Sequence, residues 1–294
     1  MSASNPHDLS VGAAPAMSDE LFRELGTRTY VMGVLNVTPD SFSDGGSYFA
    51  EEAALARAAS IAQEGADILD VGAESTRPGA QPLNADEERR RLLPLLEHIA
   101  EKVEIALSID TYKAKIAAMA IKAGASIVND ITALRGDSKM CEVLAESGCP
   151  VVLMHMLGTP ATMQVNPVYE SVVDDLCRFF EERISYAESV GISRMIIDPG
   201  IGFGKTVEHN LELIRNLKRF RQFGRPVCIG VSRKSFIGRV LDLPVNDRLE
   251  GTAAAVAASI LNGADIVRVH DVREMVRVTR MTDAIIGRWR ERGG

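Results

Sequence analysis

What is scarce in these 294 residues narrows the function before any motif is read. The four cysteines, Cys141, Cys149, Cys177 and Cys228, form no CxxC pair and no metal-ligand pattern. Cys149 and Cys228 fall in apolar runs and read as small core residues. No two of the five histidines have zinc spacing. His7, His98 and His209 fall in the leading segment or on helices and are expected in solvent; His155 ends an apolar run. No apolar stretch is long enough to span a bilayer, and the opening MSASNPHDLS lacks the basic and apolar parts of a secretory signal. The expectation is a cytoplasmic protein with no membrane partner. A net charge of −7 argues against bulk nucleic-acid binding, which favours a basic surface. It leaves room for an anionic small substrate gripped by a few local Arg and Lys. No GxGxxG turn follows the first apolar run, which disfavours an open dinucleotide-binding sheet.

What is present is a repeat of apolar run, polar cluster and helical stretch, eight times over. The spacing predicts strands at 30–36, 67–73, 105–110, 126–130, 150–155, 194–198, 226–231 and 265–270. It predicts helices at 51–64, 86–101, 112–123, 137–147, 168–190, 208–223, 247–262 and 272–287. The strands are rich in Val, Ile and Leu, as strands covered on both faces are. Five helices end in a glycine followed directly by the next strand, at Gly65, Gly124, Gly148, Gly191 and Gly263. Crossovers that hold a helix require parallel strands. The fold class expected is therefore α/β, a single (β/α)8 TIM barrel with an N-terminal extension. Its length suits the roughly 250 residues of such a barrel. Residues 1–28 read as a tail that packs beneath the barrel or stays mobile, and 29–290 as the barrel domain.

A buried strand needs no polar residue at its end, so eight polar endings on one side point to a reactive face. The loop Asn36–Gly46 is long and carries Phe42, an aromatic that a plain connector would avoid exposing, and reads as a lid. The loop Glu74–Gly79 adds hydroxyls and Arg77, suited to bidentate holding of phosphate or carboxylate. Asp110, Asn129, Asp130 and Asp198 stand at strand ends and suit the N–H edge of a flat heterocycle, although Asp110 and Asp130 also read as helix caps. At least one of the adjacent cations Arg233 and Lys234 is expected to face the site. Arg268 and His270 share one side of the last strand, where barrels commonly bind phosphate. A metal, if used, reads as Mg2+ held mostly by substrate phosphates with few protein ligands, such as Asn36.

Five motifs together, LNVTPDSFSDGG from Leu35, ESTRPG from Glu74, DPGIGFGK from Asp198, SRKS from Ser232 and RVHD from Arg268, resemble the dihydropteroate synthase family over about residues 29–287. The resemblance implies a folate-pathway transferase that joins 6-hydroxymethyl-7,8-dihydropterin diphosphate to 4-aminobenzoate, releasing diphosphate. By motif position, Asp110, Asn129, Asp198 and Lys234 would hold the pterin, with Met154 against the ring. Asn36 would meet Mg2+, and Asn36, Thr76, Arg268 and His270 would serve the diphosphate. Phe42, Thr76, Arg77, Pro78, Phe203, Lys234 and Ser235 would form the aminobenzoate pocket, and Asp44 would sit near the reacting methylene. The catalytic set implied is Asp44, Asp110 and Lys234, and the partners are small substrates and a second copy of the chain.

On this reading Mg2+, Arg268 and His270 neutralise the departing diphosphate, the C–O bond breaks early, and the arylamine attacks a stabilised cation. A pterin-dependent methyltransferase barrel shares the pterin carboxylates but handles no diphosphate, so the Arg268–His270 pair argues against it. A duplicated synthase that binds pterin without turnover is the non-enzymatic alternative. The stretch His155–Gln164 is the weakest part of the match, with Leu157 and Ala161 where many relatives are polar.

Overall fold

One parity of residues builds the inside of this molecule. A computed structural model describes residues 16–37, 46–75, 79–80 and 82–288. Its eight strands are β1 (Tyr30–Asn36), β2 (Ile68–Gly72), β3 (Ala106–Asp110), β4 (Ile127–Asp130), β5 (Val151–Met154), β6 (Met195–Asp198), β7 (Cys228–Ile229) and β8 (Ile266–Val269). They pair in parallel in the order β6-β5-β4-β3-β2-β1-β8-β7. A parallel bridge between Ile197 and Val227 joins the two edge strands, so the sheet curls into a barrel whose last seam is its weakest. The fold is the TIM barrel, with strand positions within two residues of those expected.

Every second residue points inward. Tyr30, Met32, Ile68, Ala106, Ile127, Val152, Ile196, Cys228 and Ile266 form one buried apolar cluster, the barrel floor. The alternate residues, among them Leu35, Leu69, Leu107, Val128, Ile197 and Val267, belong to a second cluster shared with the surrounding helices. Those helices are α2 (Gly46–Gln63), α3 (Ala85–Lys102), α4 (Ala114–Lys122), α5 (Met140–Ser147), α6 (Val172–Ser189), α7 (Val207–Arg215), α8 (Ser235–Leu241), α9 (Leu249–Leu261) and α10 (Val272–Ile285). The glycines at the five helix-to-strand joints have positive φ, as at Gly65 (98°) and Gly263 (101°).

Two features depart from the sequence reading. The expected helix 208–223 breaks at Asn216, whose side-chain amide donates to Glu212 O at 2.9 Å, and continues as a 3-10 turn, Leu217–Phe223. Helix α8 was not anticipated; its seven residues are too few to show a period. In the leading segment Ala16–Glu24 forms a helix, α1, ahead of β1. Leu21 of α1 is buried in the floor cluster, with Phe22 and Leu25 packed beside it. Glu24 accepts a hydrogen bond from Tyr30 Oη at 2.8 Å, tying α1 to the first strand.

Because the described contacts of α1 lie at the floor end of the barrel, among them an ion pair of Asp19 with Arg194, its loss should weaken the fold and spare the opposite end. Leu21→Ala is expected to cost about 2 kcal/mol in urea unfolding, with kcat unchanged.

Candidate active site

At the C-terminal ends of the strands the same inward parity turns polar. Above Ile68 comes Asp70, and above Ile266 comes Arg268. Asp70 is fully buried, which an ionised carboxylate tolerates only when paired. Its Oδ2 accepts from Arg268 Nε at 2.7 Å and from Asn129 Nδ2 at 3.3 Å. The other edge of the guanidinium, Nη2, donates to Asp110 Oδ2 at 2.9 Å. Asp110 and Asn129 lie side by side in the β3–β4 register. Burial pushes the Asp110 carboxyl up to about 7; Arg268 pulls it back, and Asp70 opposes that pull. Burial works against the charge of Arg268 as well, but Asp70 and Asp110 outweigh it, so the guanidinium is held firmly protonated.

A second group forms around the loop after β6. Asp198 is buried beside Met154 in the β5–β6 register. It accepts from Gly200 N at 2.7 Å, and burial raises its pKa against the pull of that bond and of Lys234. Gly200 has φ 66°, and a Cβ there would stand 1.9 Å from His155 O, so only glycine fits. Lys234 crosses over this loop. Its Nζ donates to Ile201 O and lies 4.3 Å from the centre of the Phe203 ring. Burial lowers the Lys234 pKa to about 8, against the opposing pull of Asp198. Ile131, Met154, Met156 and Met163, with Tyr112 and Phe203 packed on them, make an apolar shelf beside these charges.

The third group serves the mouth between β7 and β8. His270 Nδ1 lies 3.1 Å from Ser232 Oγ, and the His270 backbone N–H donates to the same oxygen at 3.2 Å. Burial, then Arg268 and Arg233, push the imidazole down to about 4. That environment favours the uncharged imidazole at neutral pH, which can still offer a hydrogen bond to an anion. Asn36 ends β1 half-buried, and its side chain makes no hydrogen bond among the described residues. Ser235, the first residue of α8, is exposed next to Lys234.

A rim with buried carboxylates, an amide, an apolar shelf and three basic side chains suits a flat polar heterocycle carrying an anion, and the comparisons with known proteins agree. A family model described as pterin binding enzyme matches residues 32–270. Dihydropteroate synthase of Clostridium beijerinckii is 45% identical over 267 residues, 90% of this chain and 97% of that one. The chain belongs to the dihydropteroate synthase family. Among solved structures of the family, the Yersinia pestis synthase in complex with a sulfonamide drug superposes with TM-score 0.84 at 40% identity, covering 89% of this chain and 95% of that one. The Xanthomonas albilineans synthase in complex with 7,8-dihydropteroate does so with TM-score 0.80 at 40% identity, covering 88% and 94%.

Most site residues implied by the synthase resemblance lie on this rim: Asn36, Asp110, Asn129, Met154, Asp198, Phe203, Lys234, Ser235, Arg268 and His270. Phe42, Asp44, Thr76, Arg77 and Pro78 fall outside the described residues. Of the two adjacent cations, only Lys234 faces the rim; Arg233 is bound by Asp271 through Nε at 2.9 Å. Asp130 serves the backbone instead, accepting from Thr132 N and Leu134 N, both at 2.8 Å. His155 is no ligand candidate. Burial pushes it down to about 2, and it stacks edge-on against Phe179 and meets the buried Lys205 Nζ at 3.0 Å. His209 is not simply solvated, since it completes a capping box with Thr206 at the start of α7.

Sequence reasoning passed over Asp70, although an aspartate inside the run Ile68–Gly72, in phase with the inward residues, was a readable signal. It also passed over the partners of Glu74. Lys113 Nζ bridges Glu74 and the buried Glu88, while Tyr112 Oη donates to Glu74 at 3.0 Å. Glu74 also accepts from Leu83 N at 3.1 Å, which clamps the two ends of the loop after β2 together.

Two outcomes follow from this geometry. Gly200→Ala should cost about 2–4 kcal/mol in denaturant unfolding, combining left-handed strain with overpacking. The pH profile of kcat/KM should be bell-shaped. Its acid limb falls below about 7 as Asp110 gains a proton, and its basic limb falls above about 8 as Lys234 loses one. Asp110→Asn should remove the acid limb.

Proposed function

We propose that this rim binds 6-hydroxymethyl-7,8-dihydropterin diphosphate and 4-aminobenzoate and joins them to 7,8-dihydropteroate, releasing diphosphate. The observation that carries the reading is the juxtaposition of Asp110 and Asn129 with Arg268, so that acceptors for a pterin edge adjoin a cation for the diphosphate. The relatives support it: the Xanthomonas albilineans synthase holds 7,8-dihydropteroate and another structure of that enzyme holds 4-aminobenzoic acid.

In this reading the carboxylates of Asp110 and Asp198 and the Asn129 amide accept and donate along the pterin N–H edge, and the ring lies on the Met154 shelf. Arg268 takes charge from the diphosphate, and His270 donates a hydrogen bond to it. The C–O bond breaks as the diphosphate leaves with the bonding electrons. The methylene cation is delocalised into the ring and countered by Asp110, with Asp44 assigned near it by the motif alone. The amine nitrogen of 4-aminobenzoate then attacks the methylene and releases a proton. Lys234 spans both substrates, its ammonium between the pterin loop and the Phe203 ring and its backbone next to Ser235, where the aminobenzoate carboxylate belongs. Thr76 joins the diphosphate and aminobenzoate groups, and Phe42, Arg77 and Pro78 complete the aminobenzoate pocket. Catalysis is mainly charge stabilisation in a site shielded from water.

Mg2+ belongs to the proposal too. The one candidate protein ligand, Asn36, offers a single neutral amide oxygen, and no cluster of three or more metal-binding side chains occurs among the described residues. That donor set fits a hard cation carried largely by diphosphate oxygens, which would supply charge neutralisation of the leaving group. A cytoplasmic location, expected from the sequence, and a homodimer, expected from the family resemblance, complete the reading. Among the described residues no helix is long and apolar enough to cross a membrane.

The direct test is diphosphate release from the dihydropterin substrate with and without 4-aminobenzoate. Release together with formation of dihydropteroate is expected; absence of release under both conditions points to a pterin binder without turnover. Lys234→Ala should lower turnover about 100-fold, by loss of one preorganised charge, and normal turnover would contradict the placement of that lysine. Sulfonamides, found in complex with the Yersinia pestis relative, should inhibit competitively with 4-aminobenzoate.

A further inference from the structure

Asp70 has no assigned part in the chemistry above, yet it is the charge most completely withdrawn from water at the rim, with no exposed surface. One of its oxygens, Oδ2, receives both Arg268 Nε and the Asn129 amide. The other, Oδ1, has no hydrogen-bond partner among the described residues, and neither does the buried Ser108 Oγ, which faces Asp70 in the β2–β3 register. A buried carboxylate with one oxygen unused is a poor device for stability. Its use lies in what it holds.

The two side chains it holds address different parts of the substrate, Asn129 the pterin and Arg268 the diphosphate. Arg268 divides its edges, Nε to Asp70 and Nη2 to Asp110. Asp110 is itself a pterin acceptor. Before substrate arrives, a receptor for the ring and a receptor for the anion therefore satisfy one another.

We propose that Asp70 is a positioning residue: it anchors Arg268 through Nε and orients Asn129, so that the Nη2 edge exchanges Asp110 for diphosphate and releases Asp110 to the pterin. The inference rests on the ligand assignments made above. Asp70 keeps the guanidinium compensated and in place throughout the exchange. Breaking the single Arg268–Asp110 pair serves both ligands, so the cost is met once. The two ligands must then favour each other's binding, and by the same factor in either order.

Calorimetry on the full wild-type chain reads this coupling. A pterin is titrated with and without inorganic pyrophosphate, and pyrophosphate with and without the pterin. The expected result is a reciprocal tightening of about fivefold or more. Equal or weaker pterin affinity in the presence of bound pyrophosphate overturns the exchange. Absence of binding by either ligand overturns the ligand assignments themselves, and the inference with them. Asp70→Asn provides the second arm, since it preserves shape and removes the charge. It should raise KM for the dihydropterin diphosphate about tenfold, leave KM for 4-aminobenzoate within about twofold, and abolish the coupling. The thermal midpoint should fall modestly, because Arg268 loses one of its two carboxylate partners and keeps Asp110. An unchanged KM and coupling overturn the positioning role. So do KM values for both substrates raised alike, which mark a structural residue. If that variant does not fold, the wild-type coupling decides the question alone.

Discussion

A guanidinium held between the fully buried Asp70 and the largely covered Asp110 is the interaction on which the rest of this site depends. Arg268 reaches Asp70 and Asp110 at 2.7 and 2.9 Å, from opposite edges of the same side chain. Neither carboxylate would be tolerated ionised at that depth without it, and the arginine would not be tolerated without them. The arrangement carries one negative charge more than positive, and Lys234 and the neutral His270 stand nearby. Such a site is poised for a ligand that brings donors at one end and an anion at the other. Because it is withdrawn from solvent, each of those contacts is stronger than its counterpart in water.

The barrel supplies the depth. Inward side chains at the barrel floor are apolar and most of those at the rim, Met154 apart, are polar, so the charges rest on a dry floor rather than on a channel. Helix α1 closes that floor from beneath through Leu21. The loop after β6 is held by its own bonds, with Asp198 accepting from Gly200 and Asn210 Oδ1 accepting from Gly202 N at 2.7 Å. Gln164, in the stretch where the family match was weakest, donates to Gly202 O at 2.7 Å and so braces the loop that Lys234 crosses. Rigid elements thus place the basic and acidic side chains before any ligand binds, which is the condition for electrostatic preorganisation.

Much of this was legible in the residues. Strand ends such as Asp110, Asn129 and Asp198 stood out because polar residues closing an apolar run have a local signature. Gly65 and Gly263 marked helix ends for an equally local reason, the need for a left-handed residue. What escaped reading was set by partners far away in the chain. Asp70 looked like one more strand residue because Arg268 lies 198 positions later. Arg233 and Lys234 are sequence neighbours with opposite fates, decided by Asp271 and by the Gly200–Phe203 turn. The lowered pKa of His270 comes from burial and from Arg268, neither of which its place in the sequence shows. Helix α8 carried too few residues for a periodic signal, and α1 acquired its meaning only from the barrel above it.

The most direct measurement is a crystal structure of the protein soaked with a dihydropterin, pyrophosphate and Mg2+. The account predicts the pterin N–H edge on Asp110, Asn129 and Asp198, and the pyrophosphate on Arg268 and His270. Ligands seated away from the C-terminal rim, or a pterin that leaves the Arg268–Asp110 pair intact while pyrophosphate binds elsewhere, would contradict it.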